Sequence, residues 1–209
     1  MFQRDVYLKE LINKKQNHLV KVITGIRRCG KSYLLNEIFY NYLIEKENIP
    51  NDHIIKFAFD NEEDIALLDK YLSDQPTVIE KNNQKIVNNR KFLLYIKDLA
   101  LDNEQYYFLL DEIQNLDDFV RVLNGLLRHE NYDVYVTGSN SKFLSSEGDT
   151  EFGGRGERSH LLPLTFTEFL TGTNLDEYTA LKVYERYGGI PLVQLQKNDS
   201  GEAKQAISI

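Results

Sequence analysis

A glycine-rich segment near the start of the chain, GIRRCGKS, has the residue types and the spacing needed to bind phosphate. Gly25 is followed by four residues and then by Gly30, Lys31 and Ser32, which matches the phosphate-binding pattern G-x-x-x-x-G-K-[ST]. Glycines let backbone N–H groups approach phosphate oxygens, and the N-terminus of a following helix adds further donors. The pattern predicts that Lys31 contacts the β- and γ-phosphates of a nucleotide and that Ser32 ligates Mg²⁺. The nucleotide-contacting residues predicted here are Gly25, Ile26, Arg27, Arg28, Cys29, Gly30, Lys31, Ser32 and Tyr33.

A second segment, YYFLLDEIQ, ends an apolar run with two acids that complement this loop. Asp111 is predicted to hold the Mg²⁺ shell, and Glu112 to orient and polarise a water molecule that attacks the γ-phosphate. The alternative is that both acids only cap the helix that follows. The chain has neither the D-x-x-G nor the N-K-x-D motif of a GTPase, and an Asp-Glu pair at a strand end favours hydrolysis over transfer to a second nucleotide. ATP is therefore the expected nucleotide.

The composition is that of a globular protein that can bury a sizeable core, with 209 residues of which 42% are apolar and 27% charged. A net charge of −7 argues against broad nucleic-acid binding through overall charge. A local basic patch stays open, because several cationic residues lie near the start of the sequence. These residues are Lys14, Lys15, Lys21, Arg27 and Arg28.

A single cysteine excludes an intramolecular disulfide and a cysteine-based zinc site. The first residues lack the apolar core of a secretory signal, and no run approaches the roughly 18 apolar residues of a membrane helix. The four histidines show no metal-ligand spacing, so Mg²⁺ that arrives with the nucleotide is the expected metal. The expected location is the cytoplasm, without a membrane partner.

Short apolar segments alternate with amphipathic ones, which is typical of an α/β fold with a parallel sheet covered by helices on both faces. In such a fold the ligand binds at the carboxyl ends of the strands, where the loop and the acids fall. The predicted strands are 19–25, 53–60, 106–112, 133–141 and 159–164, and the predicted helices are 4–17, 31–46, 62–72, 85–101, 116–130 and 175–187. Residues 73–84 are predicted to be a polar connection.

Two units are expected: a core over residues 1–164, which includes the N-terminal helix, and a partial helical lid over residues 165–209. Strand patterns stop after residue 164, and the last residues are polar. We expect that the protein continues beyond the sequence given.

Four segments in this order, GIRRCGKS, FLLDEIQ, VTGSNS and LLPLTFTEFL, resemble a group of prokaryotic AAA-type ATPases. Its members often carry an Arg-Arg pair in the phosphate loop and Asp-Glu-Ile-Gln in the Walker-B segment. The resemblance covers about residues 1–195 and implies a P-loop NTPase of the ASCE type, with a sheet of strand order 5-1-4-3-2. Family members usually continue into a full lid, a winged helix and a further domain, none of which is complete in this sequence. The resemblance therefore leaves the partner and the output open.

The resemblance also assigns VTGSNS as the sensor strand. Ser139 or Asn140 would bond to the γ-phosphate or to the attacking water. We favour Asn140, because an amide both donates and accepts hydrogen bonds. The alternative is that residues 137–139 only turn the chain out of the sheet.

Arg155 and Arg158 lie in a glycine-rich polar segment and are candidates for an arginine finger, acting from a neighbouring subunit or within the same chain. Arg155 is favoured because glycines on both sides let it move. The alternative is that these arginines pair with Glu151 or Glu157 in solvent.

Three residues of the phosphate loop and one near the end of the chain have two interpretations each. Arg27 and Arg28 cannot both face phosphate, so one contacts the protein or a neighbour's nucleotide, or both are solvated. Cys29 is either a small spacer or, because it lies near a helix N-terminus and two arginines, a thiol of lowered pKa. Pro191 in YGGIPLV either starts a helix after two glycines or, by resemblance to Gly-x-Pro lids, contacts the adenine ring.

The sequence thus predicts a domain that binds ATP with Mg²⁺ and hydrolyses it to drive or gate a conformational change. Lys31, Ser32, Asp111 and Glu112 would carry the chemistry, with Asn140 and Arg155 in support. Two other functions stay open: a nucleotide-controlled switch or adaptor with negligible hydrolysis, and a DNA-associated ATPase that relies on further domains. A homo-oligomer or a protein partner is expected.

Overall fold

The structure, a computed structural model, describes residues 2–138 and 154–191. Seven strands occur in these ranges: β1 (Val20–Gly25), β2 (Ile54–Ala58), β3 (Val78–Lys81), β4 (Gln84–Val87), β5 (Tyr106–Asp111), β6 (Tyr132–Thr137) and β7 (Gly156–Leu161). Five of them form a parallel sheet in the order β2-β5-β6-β1-β7. When only these five strands are numbered along the chain and the sheet is read from β7, the order is 5-1-4-3-2. The predicted α/β fold with a central parallel sheet is confirmed.

Seven helices accompany the strands in the described part of the chain. They are α1 (Asp5–Asn13), α2 (Lys31–Tyr33, continued by the π-helical stretch Leu34–Phe39 and by Tyr40–Glu45), α3 (Glu62–Ala66), α4 (Asn89–Leu99), α5 (Phe119–Leu126), α6 (Phe166–Gly172) and α7 (Glu177–Tyr187). None of them is long and apolar enough to cross a membrane.

The sheet separates two apolar layers, because successive side chains of a strand point to opposite faces. In β5, Phe108 and Leu110 belong to the layer under α4 and α5, whereas Tyr107 and Leu109 belong to the layer under α1 and α2. All four side chains are fully or almost fully buried. A strand covered on both faces reads as a continuous apolar run, and this explains the sequence pattern.

The chain between β2 and β5 differs from the prediction. Residues 78–87 form an antiparallel hairpin, with Val78 opposite Val87, where a polar connection and the start of a helix were expected. The turn residues Asn82 and Asn83 have φ values of 53° and 59°, the left-handed geometry of a tight two-residue hairpin turn. Helix α4 begins later than predicted, after Asn88, whose side chain caps the backbone N–H of residue 90 at 3.0 Å.

Helices α6 and α7 follow the last strand and lie beside the carboxyl edge of the sheet. Thr165 and Glu168 form a capping box at the start of α6: the Thr165 N–H donates to Glu168 Oε2 at 2.8 Å, and the Glu168 N–H donates to Thr165 Oγ1 at 3.2 Å. The Tyr184 hydroxyl of α7 donates to the Leu164 carbonyl at 2.7 Å. These bonds fix both helices to the segment that leaves β7.

Candidate nucleotide-binding site

The phosphate-loop segment leaves the carboxyl end of β1 and enters α2 at Lys31. Gly25 has φ +151°, and a Cβ there would lie 2.4 Å from the Leu161 carbonyl oxygen and 2.8 Å from Cys29 Sγ. Only glycine fits this close approach. Gly30 has φ +99°, a value that favours glycine, and Arg28 also takes a left-handed conformation with φ 68°. The motif glycines thus set the shape of the loop.

Lys31 is almost completely buried, with 4% of its surface exposed. Its ammonium group donates to the carbonyl oxygens of Gly25 and Ile26, both at 3.2 Å, within the concave side of the loop. No carboxylate within ion-pair distance of Lys31 occurs among the described residues. A buried cation held only by backbone carbonyls is suited to receive an anion.

Asp111 ends β5 opposite the loop and is also buried, with 5% of its surface exposed. Burial raises the pKa of its carboxyl group above the ordinary value, while hydrogen bonds with Thr137 and Ser32 act in the opposite direction. The Thr137 hydroxyl donates to Asp111 Oδ1 and accepts the backbone N–H of Glu112 at 3.0 Å. Thr137 therefore joins β5 to β6 at the two acids, a contact that the sequence prediction missed.

One cavity of about 480 Å³ brings most of the predicted residues together. Lys31 and Ser32 of the loop line this cavity together with Glu112, which directly follows β5. Its lining residues are Phe2, Arg4, Arg28, Cys29, Gly30, Lys31, Ser32, Tyr33, Glu112, Leu164 and Pro191. Gly25 and Ile26 adjoin it through their carbonyl bonds with Lys31, whereas Arg27 is exposed and does not line it. The cavity combines donors for phosphate with an apolar side.

The apolar side is fixed by the Gly-Gly segment that the sequence analysis left ambiguous. The Leu164 N–H donates to the Gly189 carbonyl at 2.7 Å, and a Cβ on Gly189 would lie 2.0 Å from the Leu164 carbonyl oxygen. This close backbone contact requires glycine. It carries Pro191 over the loop, where its Cγ lies 3.7 Å from the position of a Cβ on Gly30.

Two N-terminal residues also line the cavity, and the sequence analysis did not include them. Arg4 is buried, with its guanidinium bonded to the Leu162 carbonyl and paired with Glu168 at 3.3 Å. The ring of Phe2 stacks on Phe169 of α6, with ring centroids 6.3 Å apart. These partners lie more than 150 positions away in the sequence, so no local pattern could have indicated the contacts.

Of the two interpretations of Cys29, the lowered thiol pKa is wrong, whereas the small spacer agrees with the structure. Only 1% of Cys29 is exposed, and burial raises the pKa of its thiol even though Lys31 and Arg4 favour the thiolate. Desolvation of the charged form is the largest contribution, and it outweighs both cations. Cys29 is therefore a buried spacer in the loop. Of the two neighbouring arginines, Arg28 lines the cavity, and both are exposed.

The five cationic residues named in the sequence analysis do not form one basic patch, because the three lysines are paired elsewhere. Lys21 lies in the sheet, is completely buried and pairs with Asp133. Lys14 binds Glu10 at 2.6 Å, and Lys15 binds Glu47 at 2.7 Å. These three positive charges are neutralised in three separate places. Sequence proximity alone thus gave a misleading picture of the surface.

Arg155 lies at the amino ends of the strands, whereas the cavity lies at their carboxyl ends. β7 runs parallel to β1, with Gly156 beside Val20 and Leu161 beside Gly25, and the Val20 N–H donates to the Arg155 carbonyl at 2.9 Å. From Gly156 to Leu161 the strand rises about 16 Å, at about 3.3 Å per residue, and this distance separates Arg155 from the end of β1 where the loop begins. The Arg155 guanidinium instead donates to Asn124 Oδ1 at 3.4 Å.

The other sensor and finger candidates are placed as follows. Arg158 lies within β7 beside Val22. Glu157, one of the acids expected near the arginines, contacts Lys14 at 3.6 Å and accepts from Asn17 at 2.6 Å. Ser139, Asn140 and Glu151 lie outside the described residues.

Comparison with known proteins gives a consistent family assignment. A family model described as an AAA domain (AAA_14) matches residues 17–170, which is more than half of the chain. An uncharacterized protein of Haemophilus influenzae is 32% identical over 198 residues, covering 92% of this chain and 44% of that protein. Uncharacterized protein MJ1544 of Methanocaldococcus jannaschii is 29% identical over 197 residues, covering 94% of this chain and 36% of that protein. The chain thus spans less than half the length of these two curated relatives.

Solved structures share the fold at low sequence identity. The Hsp104–ADP complex of S. cerevisiae gives a TM-score of 0.59 at 14% identity, covering 91% of this chain and 29% of that chain. C. elegans PCH-2 gives a TM-score of 0.55 at 15% identity, covering 96% and 62%.

Proposed function

The chain belongs to the AAA domain family, and from this premise we propose that it binds Mg-ATP and hydrolyses it. The observation that carries the proposal is that Lys31 and Ser32 of the phosphate loop line the same cavity as Glu112. This arrangement supports phosphoryl transfer to water, because positioning and electrostatic stabilisation supply nearly all of the catalysis in such reactions.

The residues present fit a magnesium ion. Ser32 and Asp111 offer oxygen ligands, the type that Mg²⁺ prefers, and Ser32 is close enough to Asp111 to lower the pKa of its carboxyl group. A carboxylate whose pKa burial raises gains from a cation at close range. When bound, Mg²⁺ would neutralise part of the charge on the phosphates.

The protein side chains have separate roles in this proposal. Lys31 exchanges its carbonyl contacts for the β- and γ-phosphate oxygens, and the N–H groups at the start of α2 face the same oxygens. Glu112 orients the attacking water and accepts its proton. Asn140 is the proposed sensor, on the sequence argument alone.

The apolar side of the cavity is the proposed adenine site. Pro191 and Leu164 are held against the loop by the Gly189 contact, and Phe2 and Tyr33 lie in the same cavity.

We propose that residues 165–209 begin a lid whose position responds to the nucleotide, because α6 and α7 are bonded to the same segment. Helices α6 and α7 would transmit the conformational change driven by hydrolysis away from the site. We place the reaction in the cytoplasm, on the evidence of the single cysteine.

Arg155 is proposed to act on the nucleotide of a neighbouring copy. The offset of about 16 Å along β7 is longer than an arginine side chain, so Arg155 cannot serve the cavity of its own chain. It lies beside a second cavity of about 350 Å³, shared with His18, Asn124 and Arg128. A homo-oligomer that presents this edge to the next subunit's nucleotide would complete the site.

Steady-state Mg-ATP hydrolysis against protein concentration tests this function. We expect a rate per molecule that rises with concentration, is abolished by Glu112→Gln and loses its concentration dependence in Arg155→Ala. Arg121→Ala, an exposed arginine on α5, is the matched control and should behave as the wild type. Measurable ATP binding with a flat, negligible rate in all variants would contradict hydrolysis and support a nucleotide-controlled switch. ATP-independent binding to DNA that falls steeply with salt would support the DNA-associated alternative.

A further inference from the structure

Gln114 lies two residues after Glu112, the proposed catalytic base. It belongs to the short 3₁₀ turn Ile113–Asn115 that follows β5, and its side-chain amide Nε2 donates to Glu112 Oε2. Glu112 itself lines the cavity with Lys31 and Ser32. Gln114 therefore contacts the carboxylate that would activate water without lining the cavity.

The backbone brings these two side chains together. Glu112 has φ 50° and ψ 50°, a left-handed conformation that is unfavourable for a residue with a Cβ. Its N–H is fixed by Thr137 Oγ1 at 3.0 Å, so the main chain at Glu112 is held to β6 while the side chain is held by Gln114. Such departures from regular backbone geometry concentrate at functional sites.

The other end of the Gln114 amide does not contribute to stability. Its Oε1 atom is shielded from solvent and has no hydrogen-bond partner among the described residues. A buried acceptor without a partner is unfavourable, and a methionine would fill similar space without this cost. The stability of the turn alone does not account for an amide at this position, whereas its bond with Glu112 does.

The residues that follow the 3₁₀ turn are bonded to the β3–β4 hairpin. Leu116 forms a bridge with Val87 of the hairpin, and the Asp117 N–H donates to the Val87 carbonyl at 2.9 Å. Gln114 is thus held between β5 and the hairpin. A side chain on such a base can hold its partner in one geometry, as precise catalytic positioning demands.

We propose that Gln114 is a positioning residue that fixes the rotation of the Glu112 carboxylate, and so aims it at the attacking water. The inference rests on the proposed ATP hydrolysis and adds a residue to it. With one carboxylate oxygen held by the amide, the group keeps the orientation needed for attack. Loss of that bond removes this constraint on the carboxylate, while ATP still binds because Gln114 does not line the cavity.

Single-turnover hydrolysis at saturating Mg-ATP tests the proposal, together with the Kd for ATP and the melting temperature. Gln114→Met is expected to lower the rate about tenfold to a hundredfold, with the Kd unchanged within about twofold. Gln114→Glu keeps the shape but cannot donate, and it should lose at least as much. Gln105→Met is the matched control, since Gln105 lies at the opposite end of β5 and bonds only to the Tyr106 carbonyl among the described residues.

A double mutant separates positioning through Glu112 from a general loss of structure. In the Glu112→Gln background, Gln114→Met should cause no further loss of rate, because the group on which Gln114 acts is gone. Equal rates for Gln114→Met, Gln114→Glu and wild type would overturn the inference and leave the proposed function intact. So would a further loss in the double mutant. A wild type that binds ATP without hydrolysing it would overturn the proposed function, and this inference with it.

Discussion

Two buried lysines near opposite ends of β1 have opposite surroundings. Lys21, in the amino half of the strand, is 0% exposed and forms an ion pair with Asp133, which is 1% exposed. Lys31, just past the carboxyl end, is 4% exposed and bonds only to backbone carbonyls among the described residues. Both are buried cations close to β1, yet of the two only Lys21 has a carboxylate partner among the described residues.

The two buried aspartates differ in the same way. Asp133 accepts from the Lys21 ammonium, the Gln16 N–H at 3.0 Å and the Tyr135 hydroxyl at 3.1 Å. Asp111 has hydroxyl partners, and its surroundings raise the pKa through burial and the nearby acids. The paired charges of Lys21 and Asp133 stabilise the sheet at the amino ends of its strands. The buried charges of Lys31 and Asp111 do not pair with each other, and for this reason we propose the carboxyl end of the sheet as the place for a charged ligand.

Removal of the charge of Asp133 should have the largest effect on stability. Asp133→Asn leaves the Lys21 ammonium buried without its carboxylate, and we expect a loss of about 3–5 kcal/mol in the free energy of unfolding, measured by urea denaturation. The Kd for Mg-ATP, measured by calorimetry, should not change. Replacing both partners, as in Lys21→Met with Asp133→Leu, should recover part of the loss. A weakened ATP affinity with unchanged stability would erase the distinction between the two edges.

Removal of the charge of Asp111 should have a smaller effect of the opposite sign. Because burial raises its pKa, the ionised carboxylate opposes folding once the pH exceeds the ordinary value for an aspartic acid. Asp111→Asn should therefore stabilise the free protein at neutral pH, as measured by urea denaturation. The difference should vanish in acid, where both states of the wild type are protonated.

The same variant should lose the rise in melting temperature that Mg-ATP gives the wild type, because a proposed Mg²⁺ ligand is gone. Asp117→Asn is a suitable control, since this acid pairs with Lys81 outside the cavity. If Asp111→Asn kept its response to Mg-ATP, the assignment of the metal ligands would be wrong.

The smallest effect is expected for the thiol. Burial and the raised pKa predict that iodoacetamide modifies Cys29 more slowly in the folded protein than in the unfolded chain. Bound ATP should slow the reaction further, and complete modification should block nucleotide binding, since Cys29 Sγ lies against Gly25. Mass spectrometry follows the reaction. Unchanged nucleotide affinity after full modification would show that the packing of Cys29 against Gly25 is not needed for nucleotide binding.

The sequence predicted those features that local spacing determines. The strand–loop–helix arrangement around Gly25 and Lys31, and the apolar strand before Asp111, follow from periodicity and a short motif. The hairpin was missed because the Asn82–Asn83 turn signal lay inside a segment that looked merely polar.

Contacts between distant positions could not be predicted in this way. Arg4 meets Glu168, and Lys21 meets Asp133, across more than 100 residues. A lysine inside the apolar run LVKVITG was a sign of an unusual site, but nothing in the spacing named its partner. The thiol prediction failed for a related reason, because burial depends on the whole fold.

One pair of variants tests the central claim most directly: Lys31→Met and Lys21→Met, compared for Mg-ATP binding by calorimetry and for melting temperature. Lys31→Met should weaken binding about 100-fold and leave the melting temperature of the free protein near that of the wild type. Lys21→Met should lower the melting temperature strongly, because Asp133 is left unpaired, and keep the wild-type affinity. If Lys31→Met bound Mg-ATP as tightly as the wild type, the carboxyl edge would not be a nucleotide site and the account would fail.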